Sequence, residues 1–407
     1  MVETTRHTPA LGQRWASIPV CIIYAFQAPQ APATLGNQDR QTRRPQMTDV
    51  LISKEEISTS IKGAVAYRII YRSHDLHGVA TTSSGLVIAP AAAGENRRVM
   101  SWTHGTTGIG DAGCPSAQPD PARELTLYFA PGSTTQIDYG IPGLQTFIDD
   151  DWVVVATDYQ GLGTPGVHQY TVNRTNAIDA VTIVHAVNEM KVGAGKRFGV
   201  IGWSQGGGTA AATVELDATD YGDLEIVGAA CMSPGVPIIG LKVPGLGSAL
   251  GGTDIPPDGH LFMILGAMVT AFPDTLSLDD VYTAVGKRVF EQGWNVQGVH
   301  HLSDTLGRAY KHEGQVMAVD STKLGAWMKA FTEASATLKK PIAPVLVLMD
   351  EQDPNGPCPI TWQRGYVDAA KALGGDITVK SFPDDDHFSL PQSSIGDAKE
   401  WLTTKFA

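Results

Sequence analysis

Residues 197–212, Arg197-Phe198-Gly199-Val200-Ile201-Gly202-Trp203-Ser204-Gln205-Gly206-Gly207-Gly208-Thr209-Ala210-Ala211-Ala212, hold the decisive pattern of this 407-residue chain. The first five form a run of strand type, and the last six open a helix of small residues. Between them stands a serine with glycine two places before and two places after. The bare pattern is weakly specific in a chain with 44 glycines; its setting between strand and helix makes it informative. A strand that turns directly into a helix forces the residue at the bend into strained backbone angles, so its neighbours must be small. The bend exposes the serine hydroxyl and aims the positive end of a helix at it, which suits a group where negative charge develops. A phosphate-binding turn would call for a GxGxxG pattern or a Walker lysine, and neither is present after the bend.

A serine hydroxyl is a weak nucleophile until a base takes its proton, so an imidazole and an orienting carboxylate are expected. For this kind of turn they come after the serine in the order carboxylate, then histidine. Of eleven histidines, His387 alone lies after the last strand-like run and before the closing helical one. It is the expected base, with Asp386 in the preceding acidic turn placed to raise its pKa slightly. The exit of the strand-like run 345–349 carries Asp350, Glu351 and Asp353. Asp353, just before the tight turn Pro354-Asn355-Gly356-Pro357, is the expected acid, and Asp350 is the alternative. An oxyanion would need two donors. The amide of Gln205 is one, and the loop His104-Gly105-Thr106-Thr107-Gly108 offers the amide of Thr106 as the other. His104, in a His-Gly turn, reads as a brace for that loop. No metal or organic cofactor is called for.

On either side of this bend, short β-branched runs alternate with helical patterns from about Asp49 onward, the sign of a mostly parallel α/β sheet with helices on both faces. Eight strands are expected, at 64–73, 84–89, 97–102, 152–157, 198–201, 226–231, 345–349 and 377–382, the first two as an antiparallel pair. Helices are expected at 176–190 and 395–406. The alternation fails between Cys231 and Val345, where helical patterns come after a Gly/Pro-rich stretch at 237–252. Ser277 is a candidate cap for a helix through Val281, Val285 and Val289, and 324–338 is another candidate helix. The expected organisation is therefore a leader or loose arm (1–47), a first core part (48–235), an inserted helical cap (236–340) and a second core part (341–407). Trp102 and Trp203 lie in sequence beside the expected site. Phe262 and Leu265 sit on an apolar helix pattern of the cap, where they would face substrate or pack the cap onto the sheet. The stretch 235–252 would serve as a flap or as an ordinary loop.

The composition excludes several classes. A hydrophobic fraction of 43% suffices for a large core. A net charge of −12 and a pI near 5.3 are the wrong field for tracking nucleic-acid phosphates. No run reaches about 18 apolar residues; the longest candidate, 261–271, is broken by Gly266 and stopped by Pro273. Four cysteines (Cys21, Cys114, Cys231, Cys358) lack CxxC spacing and read either as buried thiols or as a source of disulfides, with three full pairings possible. The apolar patch 18–26 before Ala31-Pro32-Ala33 has some features of an export signal, but it comes after a long segment and contains Pro19. Asn173-Arg174-Thr175 is a glycosylation sequon.

Residues 103–108 with Gly113-Cys114-Pro115-Ser116, the run Val153-Val154-Val155-Ala156-Thr157-Asp158-Tyr159-Gln160-Gly161-Leu162-Gly163-Thr164-Pro165-Gly166, and residues 202–207 together resemble the secretory lipase family, the lipase A type of yeasts and bacteria. The likeness spans about 49–407, closely to Pro237 and loosely through the cap. It implies an α/β-hydrolase fold with a helical cap, secretion or a periplasmic location, and esterase or lipase activity through Ser204, Asp353 and His387. The substrate would be a small-molecule or lipid ester, met in part at a lipid–water interface. The cysteine that some members carry just before the catalytic histidine is absent, so their disulfide pattern does not carry over. The same triad would serve an acyltransferase with an alcohol acceptor, or less readily a peptidase.

Overall fold

The computed structural model describes residues 49–242, 255–352 and 356–407. Nine strands form one sheet: β1 (Leu51–Ile57), β2 (Ala64–His74), β3 (Ala80–Pro90), β4 (Arg97–Thr103), β5 (Val153–Thr157), β6 (Ala194–Trp203), β7 (Glu225–Met232), β8 (Val345–Asp350) and β9 (Ile377–Phe382). Their order is β1-β2-β3-β5-β4-β6-β7-β8-β9. β1, β2 and β3 run antiparallel and join β5 antiparallel, and every other pairing is parallel. The sheet thus has one strand more than expected. The extra strand is β1, whose sequence LISKEEI is mostly exposed. Its Lys54, Glu55 and Glu56 hide the strand pattern, and charge of this kind is what protects a sheet edge from pairing with another chain.

The inner strands are buried on both faces, so their apolar runs are continuous rather than alternating. Val153 and Val155 of β5 join one core with Val99, Phe198, Val200, Cys231 and Val347. Val154 and Ala156 join the other, with Met100, Trp102, Ile201, Trp203, Met232 and Leu348. Helix α2 (Asn173–Met190) covers the first face through Ile178, Val181, Val184 and Val187. Helices α1 (Leu144–Asp149) and α11 (Leu390–Lys405) cover the second, with Phe147, Ile395, Ala398 and Leu402 in its core. Helices α3 (Gln205–Thr213) and α4 (Ala218–Tyr221) lead from β6 to β7. No helix among the described residues is long and apolar enough to cross a membrane.

Between β7 and β8 the chain leaves the sheet for helices α5 (Pro237–Lys242), α6 (Gly259–Ala271), α7 (Ala284–Gly293), α8 (Val299–Glu313) and α9 (Leu324–Ala334). The helix expected behind Ser277 is split. Ser277 caps a single 3-10 turn, Leu278–Asp280, and Thr283 caps α7 afresh by accepting from the Gly286 amide at 3.2 Å. Part of the expected flap lies in α5, and residues 243–254 fall outside the described residues, as do the arm 1–47 and its export patch. The insertion meets the core where Val299 N donates to Thr107 O (2.8 Å) and where His300 stacks on Tyr128 (3.5 Å between centroids).

Cys114, Cys231 and Cys358 are buried free thiols, which settles those three against disulfides. The sequon asparagine is equally inaccessible. Asn173 is fully buried and its side-chain amide donates to Gly235 O at 3.1 Å, so this folded chain offers no glycosylation site there.

One carboxylate gathers three amides of the return from insertion to sheet, beside the bonds from Ile342 N to Val214 O (2.9 Å) and from Ala336 N to Asn173 Oδ1 (3.4 Å). Buried Glu215 accepts the amides of Thr337, Leu338 and Lys339 at 2.9, 2.9 and 3.2 Å. Each buried amide left without an acceptor costs about 1–3 kcal/mol. Glu215→Ala is therefore expected to lower unfolding free energy by about 3 kcal/mol or more, with Glu215→Gln intermediate. Urea unfolding curves of the three proteins check this; an unchanged midpoint for Glu215→Ala would show the return strap is held by other contacts.

Candidate active site

β6 ends at Trp203 and α3 begins two residues later, leaving Ser204 alone at the bend with φ 59° and ψ −117°. Such a conformation is held only if the surroundings over-determine it. Here Ser204 N donates to Met232 O (2.9 Å), while Ser204 O accepts from Gly235 N (2.8 Å) and Gly208 N (3.1 Å). The flanking glycines permit the approach. A Cβ on Gly202 would lie 2.0 Å from Thr103 Oγ1, and one on Gly206 would lie 1.9 Å from Thr103 O. Thr103 Oγ1, at the end of β4, instead donates to Gly206 O at 2.9 Å.

His387 comes after β9 and a short acidic turn. Asp386 closes that turn by accepting the amides of Phe388 (3.0 Å) and Ser389 (2.8 Å), and α11 starts one residue later. These bonds hold the Asp386 carboxyl below its usual range, those to Ser389 first among them. The His387 ring reaches Ser204, with Nε2 2.9 Å from Oγ. Both side chains are buried, at 4% exposure for Ser204 and 2% for His387. Burial, and after it the neighbouring His260, push the His387 imidazole down to about 3, with Asp386 opposing. Its Nδ1 is buried and has no hydrogen-bond partner among the described residues.

Asp353 lies outside the described residues. Asp350, the alternative acid, ends β8 and is buried. It accepts from Ser233 Oγ at the exit of β7 and from Gln363 Nε2 (2.8 Å) on α10 (Ile360–Ala372). Gln363 also donates to Cys358 O (2.7 Å), and Cys358 Sγ stands 3.9 Å from Ser204 Oγ. Burial pushes that thiol up to about 12, so it faces the serine as a neutral, weakly polar wall.

Gln205 is the first residue of α3, a position whose amide has no acceptor within the helix. Thr106 lies past β4 in the neighbouring loop, its hydroxyl 2.7 Å from Tyr170 OH. His104 is engaged by backbone, with Nδ1 2.6 Å from Gly105 O. Trp203 lies against His387. Its Nε1 donates to His387 O (2.8 Å), and the two rings are 5.4 Å apart. Trp102 is buried in the same core, one strand over. Phe262 and Leu265 are fully buried on α6, and the Phe262 ring stacks on Tyr282 at 4.4 Å inside the insertion. The structure therefore brings Ser204, His387, Gln205 and Trp203 together and packs Phe262 against Tyr282 within the insertion.

Three neighbours of the site escape a reading of the sequence. Cys358 sits in a Pro-flanked loop with no motif. His168 and Tyr170 lie just past the glycine-rich run 161–166, and only the evident constraint on that run hints that the next few residues are held in place.

The alpha/beta hydrolase family profile matches residues 127–397. No curated protein sequence matches the chain. Among solved structures, the rice cell wall degrading esterase LipA of Xanthomonas oryzae superposes with a TM-score of 0.66 at 16% identity, covering 89% of this chain and 99% of that one. Candida antarctica lipase A in its closed state gives 0.67 at 14% identity, covering 89% and 82%. A putative hydrolase of Legionella pneumophila gives 0.60 at 15% identity, covering 88% and 98%. At such identities the likeness is one of fold, and it agrees with the lipase-type resemblance of the central motifs. On the match over residues 127–397, together with a serine held at a strained strand-to-helix turn, this chain belongs to the alpha/beta hydrolase family.

Proposed function

We propose that this chain is a serine carboxylic-ester hydrolase that cleaves hydrophobic acyl esters through Ser204, His387 and Asp353. The observation that carries the reading is the 2.9 Å contact between His387 Nε2 and the hydroxyl of a serine held at φ 59°. His387 takes the Ser204 proton as Oγ attacks the ester carbonyl carbon. The amides of Gln205 and Thr106 receive the negative charge on the carbonyl oxygen. His387 then gives the proton to the departing alkoxide, leaving Ser204 acylated. Water, deprotonated by the same imidazole, attacks the acyl carbon and releases the acid and free serine.

Asp353 is assigned as the acid because His387 Nδ1 needs an acceptor and the described residues supply none. Asp350 already accepts from Ser233 and Gln363, which suits a structural role. The esterase and lipase named among the structural neighbours favour an ester over an amide. The lipase among those neighbours favours a hydrophobic acyl group, a preference that does not draw on Phe262 and Leu265, which are taken up in packing within the insertion. No organic or metal cofactor enters any step.

Hydrolysis of 4-nitrophenyl esters from acetate to palmitate tests the reading. Ser204→Ala is expected to lose about 10⁴–10⁶ in kcat, and Asp353→Asn about 10⁴. Asp350→Asn should keep kcat within about threefold provided it folds. Near-normal turnover by Asp353→Asn would remove it as the acid, and an active Ser204→Ala would remove the serine mechanism.

The pH profile is set by the base. Only neutral imidazole accepts a proton, and burial favours the neutral form, moving the pKa below the ordinary value of about 6.5. Burial therefore extends the plateau of kcat/KM toward lower pH while an Asp353 carboxylate on Nδ1 opposes it, and with burial the larger influence the half-maximal point is expected below pH 6.5. A half-maximal point above 6.5 would show that a carboxylate on Nδ1 outweighs burial.

A further inference from the structure

We propose that His168 and Tyr170, in the loop between β5 and α2, are positioning residues that set the two oxyanion donors, His168 through the Gln205 side chain and Tyr170 through the Thr106 hydroxyl. The proposal rests on the reading of Ser204 as nucleophile and of the Gln205 and Thr106 amides as donors.

His168 is fully buried and its hydrogen-bond roles are fixed by its partners. Nδ1 lies 3.0 Å from Gln160 O, and a carbonyl only accepts, so Nδ1 carries the proton. Nε2 is then a lone pair, and it accepts from Gln205 Nε2 at 2.6 Å. The opposite tautomer would set Nδ1 and the carbonyl oxygen against each other as two acceptors. Burial also pushes the imidazole down to about 3, which keeps it neutral at physiological pH. The ring is clamped by a parallel stack on Tyr159 at 5.3 Å, and its backbone amide donates to Ile109 O at 2.9 Å. Gln160, which receives Nδ1–H, is itself tied to the scaffold by donating its amide to Asp179 Oδ2 on α2 at 2.8 Å.

Gln205 has little else to hold it. Its Oε1 is buried without a partner, so among the described residues the bond to His168 fixes that side chain. The side chain leaves the same Cα as the amide expected to meet the oxyanion.

Two residues on, Tyr170 performs the matching task on the other donor. Its hydroxyl is 2.7 Å from Thr106 Oγ1, and its own amide donates to His168 O at 2.8 Å. One hydrogen-bonded turn therefore touches both donor residues, which come from different strand ends and share no direct bond. Oxyanion donors act only when placed within about 2.7–3.1 Å of the developing charge, and removing one costs about 10²–10³ in kcat. A misplacement of about 1 Å costs about 10².

The test uses the full chain and the variants Tyr170→Phe, which removes one oxygen, and His168→Phe, which keeps a ring for the stack on Tyr159. His168→Gln restores an acceptor near the position of Nε2. Turnover of 4-nitrophenyl butyrate is measured beside inhibition by an alkyl trifluoromethyl ketone. Ser204 Oγ adds to that ketone's carbonyl carbon, its proton passes to His387 Nε2, and the carbonyl oxygen becomes the oxyanion. Each Phe variant is expected to lose about 10–100-fold in kcat with KM within about threefold, and to weaken ketone inhibition in parallel. His168→Gln should recover part of both. If both Phe variants keep wild-type kcat and ketone inhibition while Ser204→Ala is inactive, the clamp is overturned and the nucleophile reading stands. If Ser204→Ala still turns over ester, the reading beneath the clamp fails, and the clamp with it. A loss of melting temperature without loss of ketone affinity relative to KM would make these residues merely structural, and this too overturns the proposal.

Discussion

A serine with φ near +59° is costly wherever it occurs, and this fold is arranged so that Ser204 has no cheaper conformation. The chain enters the bend as the end of β6, bonded on both sides by β4 and β7, and leaves it as the first turn of α3. Neither element can rotate, because both are buried and Gly206 O is held by Thr103 across the bend. The space needed for that contact is the space a Cβ on Gly202 or Gly206 would fill. Glycine on either side of Ser204 is thus demanded by close packing of backbone on backbone, and the placement of the hydroxyl against His387 is its consequence.

The sheet delivers the rest of the site to the same edge. β4, β6, β7, β8 and β9 are parallel, so their C-terminal ends lie in a row. Thr106 lies past the end of β4, Ser204 past β6, and His387 past β9, while Asp350 ends β8. Ser233, just after β7, binds Asp350 and so couples two neighbouring strand ends beside Ser204. Trp203 performs the equivalent service between β6 and the loop after β9, its indole holding the His387 carbonyl while its ring packs under the imidazole. The side chain that precedes Ser204 thereby helps to position His387.

These constraints decide which parts of the molecule are legible in its sequence. Two-sided burial writes long apolar runs, so β4 to β8 stand out. The Gly202–Gly206 bend is legible because it needs two glycines at fixed places, and His387 because chain order leaves one candidate. Other parts leave no periodic trace. β1 pairs through its backbone while its side chains face water, so Lys54, Glu55 and Glu56 disguise it as a loop. In the insertion, α6 is buried on nearly every side, so its apolar pattern does not say which neighbour each side chain meets. Nothing in the spacing of Phe262 tells that its ring faces Tyr282 rather than an acyl chain. His168 and Tyr170 are single contacts of an irregular loop, where position depends on tertiary hydrogen bonds that no local pattern encodes.

Burying the reacting pair has an electrostatic consequence as well. A dry environment weakens the case for any charge that is not matched, so His387 rests neutral and Cys358 rests protonated beside it. A buried setting also strengthens the interaction of a fixed dipole with any charge placed beside it. A backbone amide at a helix start, such as that of Gln205, is a dipole already aimed. Aim in turn requires rigid support, and here that support is polar as well as apolar. Asp179, Gln160, His168 and Gln205 form a buried line from α2 to the start of α3 in which each consecutive pair is hydrogen-bonded. A line of that kind has one satisfied arrangement, so it fixes orientation where apolar packing alone would leave a choice.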